Sequence, residues 1–186
     1  MGGESVKKKY LDVFWVICKY AILAFMIAIV IRGFLLIPVP VEGNSMEKTL
    51  DQGDMVLVEK ISPIRRFDVV VFQLPSGTTY IKRVIGLPGD VIAYKQDQLY
   101  INGKPVDEPF LTKNRRSDSG DSSYTNDFSL QELTGEVALG ENSYFVLGDN
   151  RRVSKDSRSF GSIQNTDILG KARIVYYPLP HWKFIA

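Results

Sequence analysis

The feature that most limits what this chain can become is an apolar run at residues 13–31, broken only by Lys19 and the interfacial Tyr20. In a helix its nineteen residues rise roughly 28 Å, close to the hydrocarbon thickness of a bilayer. Lys7, Lys8 and Lys9 precede the run, Arg32 closes its far end, and Pro38 and Pro40 stop a helix from continuing. Lys19 lies near enough to the basic end for its ammonium to snorkel there. A cleavable signal peptide would show a small-x-small site after the run, and Arg-Gly-Phe-Leu-Leu-Ile-Pro-Val-Pro offers none. A buried core helix of a soluble protein is the remaining alternative, and the basic flank fits it less well. The expectation is a retained single-pass anchor at 13–32. The lysine cluster keeps residues 1–12 in the cytoplasm and puts 33–186 outside.

A chain of 186 residues has room beyond such an anchor for one domain of ordinary size. The formal net charge of +2 argues against a nucleic-acid partner. The single cysteine, Cys18, falls inside the apolar run, which excludes an intrachain disulfide, zinc-finger spacing and a papain-like centre. A histidine-based zinc site or a Ser-His-Asp triad would hang on the one histidine, His181, which reads as a surface residue of the C-terminal tail. Any hydrolytic base here is therefore expected not to be histidine.

Beyond the anchor the chain alternates short β-branched and aromatic segments with turn signals. Strands are expected at 55–59, 67–74, 78–87, 91–94, 99–101, 104–106, 137–139, 144–147 and 171–177, with Asn102-Gly103 as a hairpin turn. Residues 35–41 read as extended chain and 166–169 as one helical turn. From 107 to 127 polar residues dominate and only Phe110, Leu111 and Tyr124 could bury, so a mobile loop or the tip of an inserted subdomain is expected. The fold class is all-β, mostly antiparallel.

Three clusters carry chemistry. The first is Val-Glu-Gly-Asn-Ser-Met-Glu-Lys-Thr-Leu at 41–50, where Gly43-Asn44 lets the backbone turn and expose the Ser45 hydroxyl beside free N–H groups. Those are a nucleophile and oxyanion donors for acyl transfer. The second is Lys82-Arg83, mid-strand with apolar neighbours on both faces, so that one of the two cations is expected to be partly buried. Only lysine can act as a base. At its ordinary pKa about one lysine in a thousand is neutral near pH 7.5; lowering that pKa by two costs about 2.7 kcal/mol of stability. The third cluster, 148–161, is dense in charge and hydroxyl. Its spacing allows Asp156 to pair with Arg151 or Arg158 and stiffen a loop that holds Ser154.

Taken together, Gly-Asn-Ser-Met-Glu-Lys-Thr-Leu, Tyr-Ile-Lys-Arg-Val-Ile-Gly-Leu-Pro-Gly-Asp and Gly-Asp-Asn-Arg-Arg-Val-Ser-Lys-Asp-Ser-Arg-Ser-Phe-Gly resemble the three boxes of the bacterial type I signal peptidases, and the single anchor resembles their Gram-positive branch. The resemblance implies a membrane-anchored serine endopeptidase with a Ser-Lys dyad, cutting secretory preproteins after an Ala-x-Ala-like site. Ser45 would be the nucleophile and Lys82 the general base. Ser154 would orient the Lys82 amine, Asp156 and Arg158 would form a loop ion pair, and the Ser45 N–H would serve the oxyanion. Gly43 stands where some members supply a serine hydroxyl, so a second donor would come from elsewhere. Lys48 replaces the usual proline, which bears on the rigidity of the turn. The implied fold is an antiparallel β core with a small inserted β subdomain at about 97–142. Substrate pockets are expected near Met46, Leu50, Tyr80 and Ile81. No metal or cofactor is implied; the lipid bilayer and the secretion machinery are the expected partners. Two other functions use the same residues: a self-cleaving Ser-Lys protease, and a catalytically inactive anchored binding or chaperone module.

Overall fold

The computed structural model describes residues 3–30, 36–117 and 123–185. It divides into two compact units, Met1–Ile37 and Pro38–Ala186. The first is built on one helix, α1 (Gly3–Val30), whose 28 residues span roughly 42 Å. Phe14, Trp15, Ile17, Ile22, Phe25 and Met26 all stand exposed on it, and none of its described side chains is buried. Among the described residues no helix is long and apolar enough to cross a membrane. The span expected at 13–32 runs into 31 and 32, and Arg32 lies outside the described residues.

The second unit is antiparallel β-structure, as the period-two patterning predicts. Its strands are β1 (Leu36–Pro40), β2 (Met55–Glu59), β3 (Val69–Gln73), β4 (Thr79–Gly86), β5 (Ile92–Lys95), β6 (Gln98–Ile101), β7 (Lys104–Val106), β8 (Phe128–Ser129), β9 (Ser143–Leu147), β10 (Ile163–Gln164), β11 (Ile168–Tyr177) and β12 (Lys183–Phe184). One eight-stranded sheet runs β1-β2-β11-β3-β4-β9-β10, with β12 also on β11; a four-stranded sheet runs β7-β6-β5-β8. Alternation along β4 and β9 makes two cores, one on each face of the larger sheet. Val84 and Val146 pack with Val70, Phe72 and Ile163. Ile85, Phe145 and Leu147 point the other way, onto Ile92, Tyr94 and Leu99 of the smaller sheet.

Strand β11 holds the larger sheet together by changing partner along its length. Ile168 to Lys171 pairs with β3, and Lys171 to Tyr177 pairs with β2. Lys171 pairs with both, and just before it, at the register shift on the β3 side, Gly170 takes φ +154°, where an added Cβ would lie 2.5 Å from the Glu59 carbonyl oxygen. A bulge with such close backbone approach leaves no room for a side chain.

Three expectations need correcting. Residues 137–139 form no strand; Leu139 is buried, but its N–H donates to the Asp90 carbonyl rather than to a ladder. The stretch follows α3 (Leu130–Thr134), which is fixed by a Ser129/Glu132 capping box and stopped by Gly135 in the left-handed region. The helical turn expected at 166–169 is a 3-10 turn at Asn165–Asp167, and β11 already begins at Ile168. The 107–127 segment is ordered wherever it is described. A 3-10 turn, Pro109–Leu111, leads into α2 (Thr112–Ser117), and Leu111, Asn114, Tyr124 and Thr125 are buried; residues 118–122 lie outside the described residues.

Gly170→Ala is expected to lower the unfolding free energy by about 1–3 kcal/mol, from overlap with Glu59. A urea melt matching wild type would show that the β11 bulge tolerates a side chain.

Candidate active site

The turn after β1 brings Ser45 to the foot of β4. Val41 exchanges hydrogen bonds with the 53–54 segment (N–H to Asp54 O, 2.8 Å; O from Gly53 N–H, 3.0 Å), which fixes the chain entering the turn. Leu50 and Met46, fully or almost fully buried, anchor the turn from below. Gly43 takes φ +76° and Lys48 φ +73°, both left-handed. Proline, locked near −65°, cannot adopt the Lys48 conformation, so the turn here follows a path that the expected proline would forbid.

Lys82 Nζ lies 2.6 Å from Ser45 Oγ, although the two residues are 37 apart in sequence. Both expected cations are buried: Lys82 is 3 % exposed and Arg83 1 %. The amine also donates to the carbonyl of Ile81 at 2.9 Å, and its nitrogen is 5.5 Å from the Tyr80 ring centroid. Burial lowers the Lys82 pKa from 10.5 to about 8, against the opposing pull of Asp156 and Asp149. With that value about a quarter of the amine is neutral at pH 7.5 rather than one part in a thousand. One N–H thus goes to Ile81, while the lone pair is available to the serine hydroxyl. Among the described residues the Ser45 N–H enters no backbone hydrogen bond, which leaves it free for an oxyanion.

Ser154 was expected to orient the amine. Its Oγ is buried but makes no hydrogen bond, and the Ile81 carbonyl takes the role instead. Ser154 Oγ lies against Gly148, where an added Cβ would collide with it and with the Ser45 carbonyl oxygen. The Asp156–Arg158 pair is present and two-pronged, with both N···O distances 2.8 Å. Asp156 is fully buried and also accepts the Gly148 N–H at 3.0 Å, so the pair holds the strand that leads into the loop. Arg151, the alternative partner, is committed elsewhere, to Glu108, Tyr94 and the Gly148 carbonyl.

Other residues complete the site without having been assigned a role in it from the sequence. Asp149 takes a two-pronged ion pair from Arg83 and a hydrogen bond from Thr49 Oγ1 in the serine turn. Arg83 also donates to the Phe67 carbonyl and stacks over Phe110 at 4.1 Å. The Asn150 N–H donates to the Ser45 carbonyl at 3.0 Å, and its side chain to the Asn44 carbonyl. From the 107–127 segment, Asn114 donates to the carbonyls of Glu47 and Asp149, and Tyr124 to Asp149. His181 is exposed, as expected of a surface residue in the tail, and its Nδ1 lies 2.7 Å from buried Asp54 Oδ1, beyond the far end of the same turn.

A cleft of about 930 Å³ opens over the dyad. Met46, Tyr80 and Ile81 line it as expected; Leu50 does not, because it is fully buried beneath the turn. Two strand edges border the cleft. β1 is terminal in its sheet. Residues 79–82 of β4 pair with β3 on one side and, among the described residues, with no strand on the other, since β9 joins only from Arg83 onward.

The sequence matches the family described as "Signal peptidase, peptidase S26" over residues 14–177. It is 45 % identical to signal peptidase I of Bacillus caldolyticus, across 87 % of this chain and 90 % of that one. Identity is 46 % with signal peptidase I V of Bacillus subtilis (84 % and 94 % of the chains) and 38 % with signal peptidase IB of Staphylococcus aureus strain MRSA252 (96 % and 95 %). The crystal structure of a signal peptidase I from Enterococcus faecalis superposes with a TM-score of 0.57 at 42 % identity, covering 60 % of this chain and 98 % of that one. This chain belongs to the peptidase S26 signal peptidase family.

Proposed function

We propose that Ser45 and Lys82 are the nucleophile and general base with which this serine endopeptidase removes signal peptides from secretory preproteins. The observation that carries the assignment is the 2.6 Å contact between a serine oxygen and a buried amine whose pKa has fallen to about 8. Neutral Lys82 takes the Ser45 proton as Oγ attacks the scissile carbonyl. The Ser45 N–H stabilises the oxyanion, and the Lys82 ammonium protonates the leaving amine. A water deprotonated by the same lysine then releases the acyl group and regenerates the serine.

Substrate recognition fits strand addition. An extended peptide seated between the free edges of β1 and β4 would satisfy backbone groups on both sides. Alternate side chains would enter the wall formed by Met46, Tyr80 and Ile81, where only small residues suit a shallow apolar surface, as an Ala-x-Ala-like site supplies. The chain is further proposed to be held by its N-terminal segment as a single-pass anchor, with 1–12 cytoplasmic and 33–186 extracytoplasmic. The exposed apolar side chains of α1, Phe14, Trp15, Ile17, Ile22, Phe25 and Met26 among them, are the kind that lipid favours.

Three outcomes are expected. With a preprotein substrate, Ser45→Ala and Lys82→Met each lose cleavage by about 10³-fold or more while keeping wild-type circular dichroism, read by the mass of the released mature chain; near-normal turnover in either variant removes that residue from the mechanism. The pH profile of kcat/KM should rise through pH 7 and level off above a midpoint near 8, as Lys82 loses its proton. A profile flat from pH 6 to 10 would falsify a lysine base. The third concerns stability. Because the folded pKa is below the free value, the unfolded chain binds the extra proton between pH 8 and 10.5, so stability rises with pH through that window. The wild type should gain about 3 kcal/mol over Lys82→Met between pH 7.5 and 10.5 in paired urea melts; a constant difference would mean that Lys82 is protonated in the fold.

A further inference from the structure

The 107–127 segment reaches the serine turn through two buried side chains that lie outside all three sequence boxes. We infer that Asn114 and Tyr124 are positioning residues for catalysis, setting where Ser45 stands relative to Lys82; the inference rests on the dyad assigned above. Asn114 is 4 % exposed, and its one amide nitrogen lies 3.0 Å from the Glu47 carbonyl, 3.0 Å from the Asp149 carbonyl and 3.2 Å from Tyr124 Oη. Tyr124 Oη in turn donates to the Asp149 carbonyl at 2.8 Å and accepts the Arg151 N–H at 3.2 Å. Glu47 is two residues past the nucleophile, and Asp149 is the carboxylate that grips Arg83, the neighbour of the base. The amide therefore ties the nucleophile's turn to the loop that locks the base's strand.

The links on the other side of the turn run through Asn150, whose N–H donates to the Ser45 carbonyl and whose side chain donates to the Asn44 carbonyl. Asn150 holds the turn at and before Ser45, and Asn114 holds it after Ser45. With both in place, the turn is pinned on each side of the reacting oxygen. Removing the Asn114 donor takes from the Glu47 carbonyl its tie to the 107–127 segment and leaves the Asp149 carbonyl to Tyr124 alone, which frees the turn to shift outward. A displacement of the order of 1 Å at the nucleophile is enough to cost about a hundredfold in rate.

The test uses the full-length protein in detergent, a preprotein substrate, and a serine-directed covalent reagent to count competent Ser45 sites. Asn114→Ala should lower kcat per labelled site by about ten- to a hundredfold with KM within about twofold, because the amide touches the turn and not the cleft. Asn114→Gln, which restores a donor, should recover part of the loss, and Tyr124→Phe, which removes one hydroxyl, should show a smaller fall of the same kind. A fall in activity that only tracks the fraction folded would overturn the inference. So would wild-type kcat in Tyr124→Phe and Asn114→Gln when Asn114→Ala fails to fold. Ser45→Ala, run alongside, keeps the two claims apart: residual cleavage there refutes the dyad, whereas normal turnover in the Asn114 and Tyr124 variants refutes only the positioning.

Discussion

To serve as the proposed base, Lys82 must be dry without being held charged, and the buried Arg83–Asp149 pair is the interaction that lets it be both. Lys82 sits within range of two carboxylates, Asp149 and Asp156, and each favours the ammonium form. Left to themselves, two negative charges beside a buried amine would keep its proton on. Each is claimed by an arginine: Asp149 by Arg83, the residue next to the base, and Asp156 by Arg158. Alternation along β4 makes the first pairing possible, because it sends Lys82 to one face and Arg83 to the other. Burial then outweighs what remains of the carboxylate field, and the amine falls to about 8. Without those two arginines the two carboxylates would favour the ammonium form more strongly.

Ion pairs of this kind are poor evidence for stability, since desolvation offsets most of the attraction. Position is the better explanation for finding three of them here. Arg83–Asp149 fixes the strand of the base to the 148–150 loop, Asp156–Arg158 fixes the entry to that loop, and Arg151–Glu108 fixes the loop to the smaller sheet. The loop is thereby held from three directions, and a loop so held can carry Asn150 to the Ser45 carbonyl. Gly148 completes the fit because the serine turn and Ser154 close on it from two sides, and any side chain would hold them apart.

What could be read from the sequence divides along physical lines. Strand existence was legible where β-branched residues alternate, as at 55–59, because burial on one face leaves a period-two record. It failed at 137–139, where Val137 and Leu139 carry the pattern but two glycines bracket a stretch too short to pair. Ser45 and Lys82 could be singled out, since a hydroxyl in a Gly-Asn turn and a cation in an apolar strand each break a local rule. Asn114 could not, and Tyr124 only as a residue able to bury. A side-chain amide bonding to main-chain carbonyls leaves no periodicity, and in a polar stretch it looks like any solvated asparagine. Ser154 shows the converse: its place in a box suggested a bond to Lys82, but the buried hydroxyl makes no hydrogen bond, and a main-chain carbonyl that no sequence can advertise accepts the amine N–H instead.

The demands on Lys82 and on the fold pull against each other. Keeping an amine neutral near pH 8 costs roughly 3 kcal/mol of folding stability, a sizeable part of what a domain of this size has in hand. That cost is carried by the two cores flanking β4, where Val84 and Ile85 are fully buried on opposite faces next to the base. A strand packed so firmly on both sides cannot swing its lysine into water to recover hydration. The amine therefore resolves its unfavourable burial in the only ways left, by giving up its proton and by sharing what remains with Ile81 and Ser45. Reactivity follows from the rigidity of β4, and for that reason the serine, carried on a turn rather than a strand, needs ties from Asn150 and Thr49 in the box sequences and from the segment inserted between them.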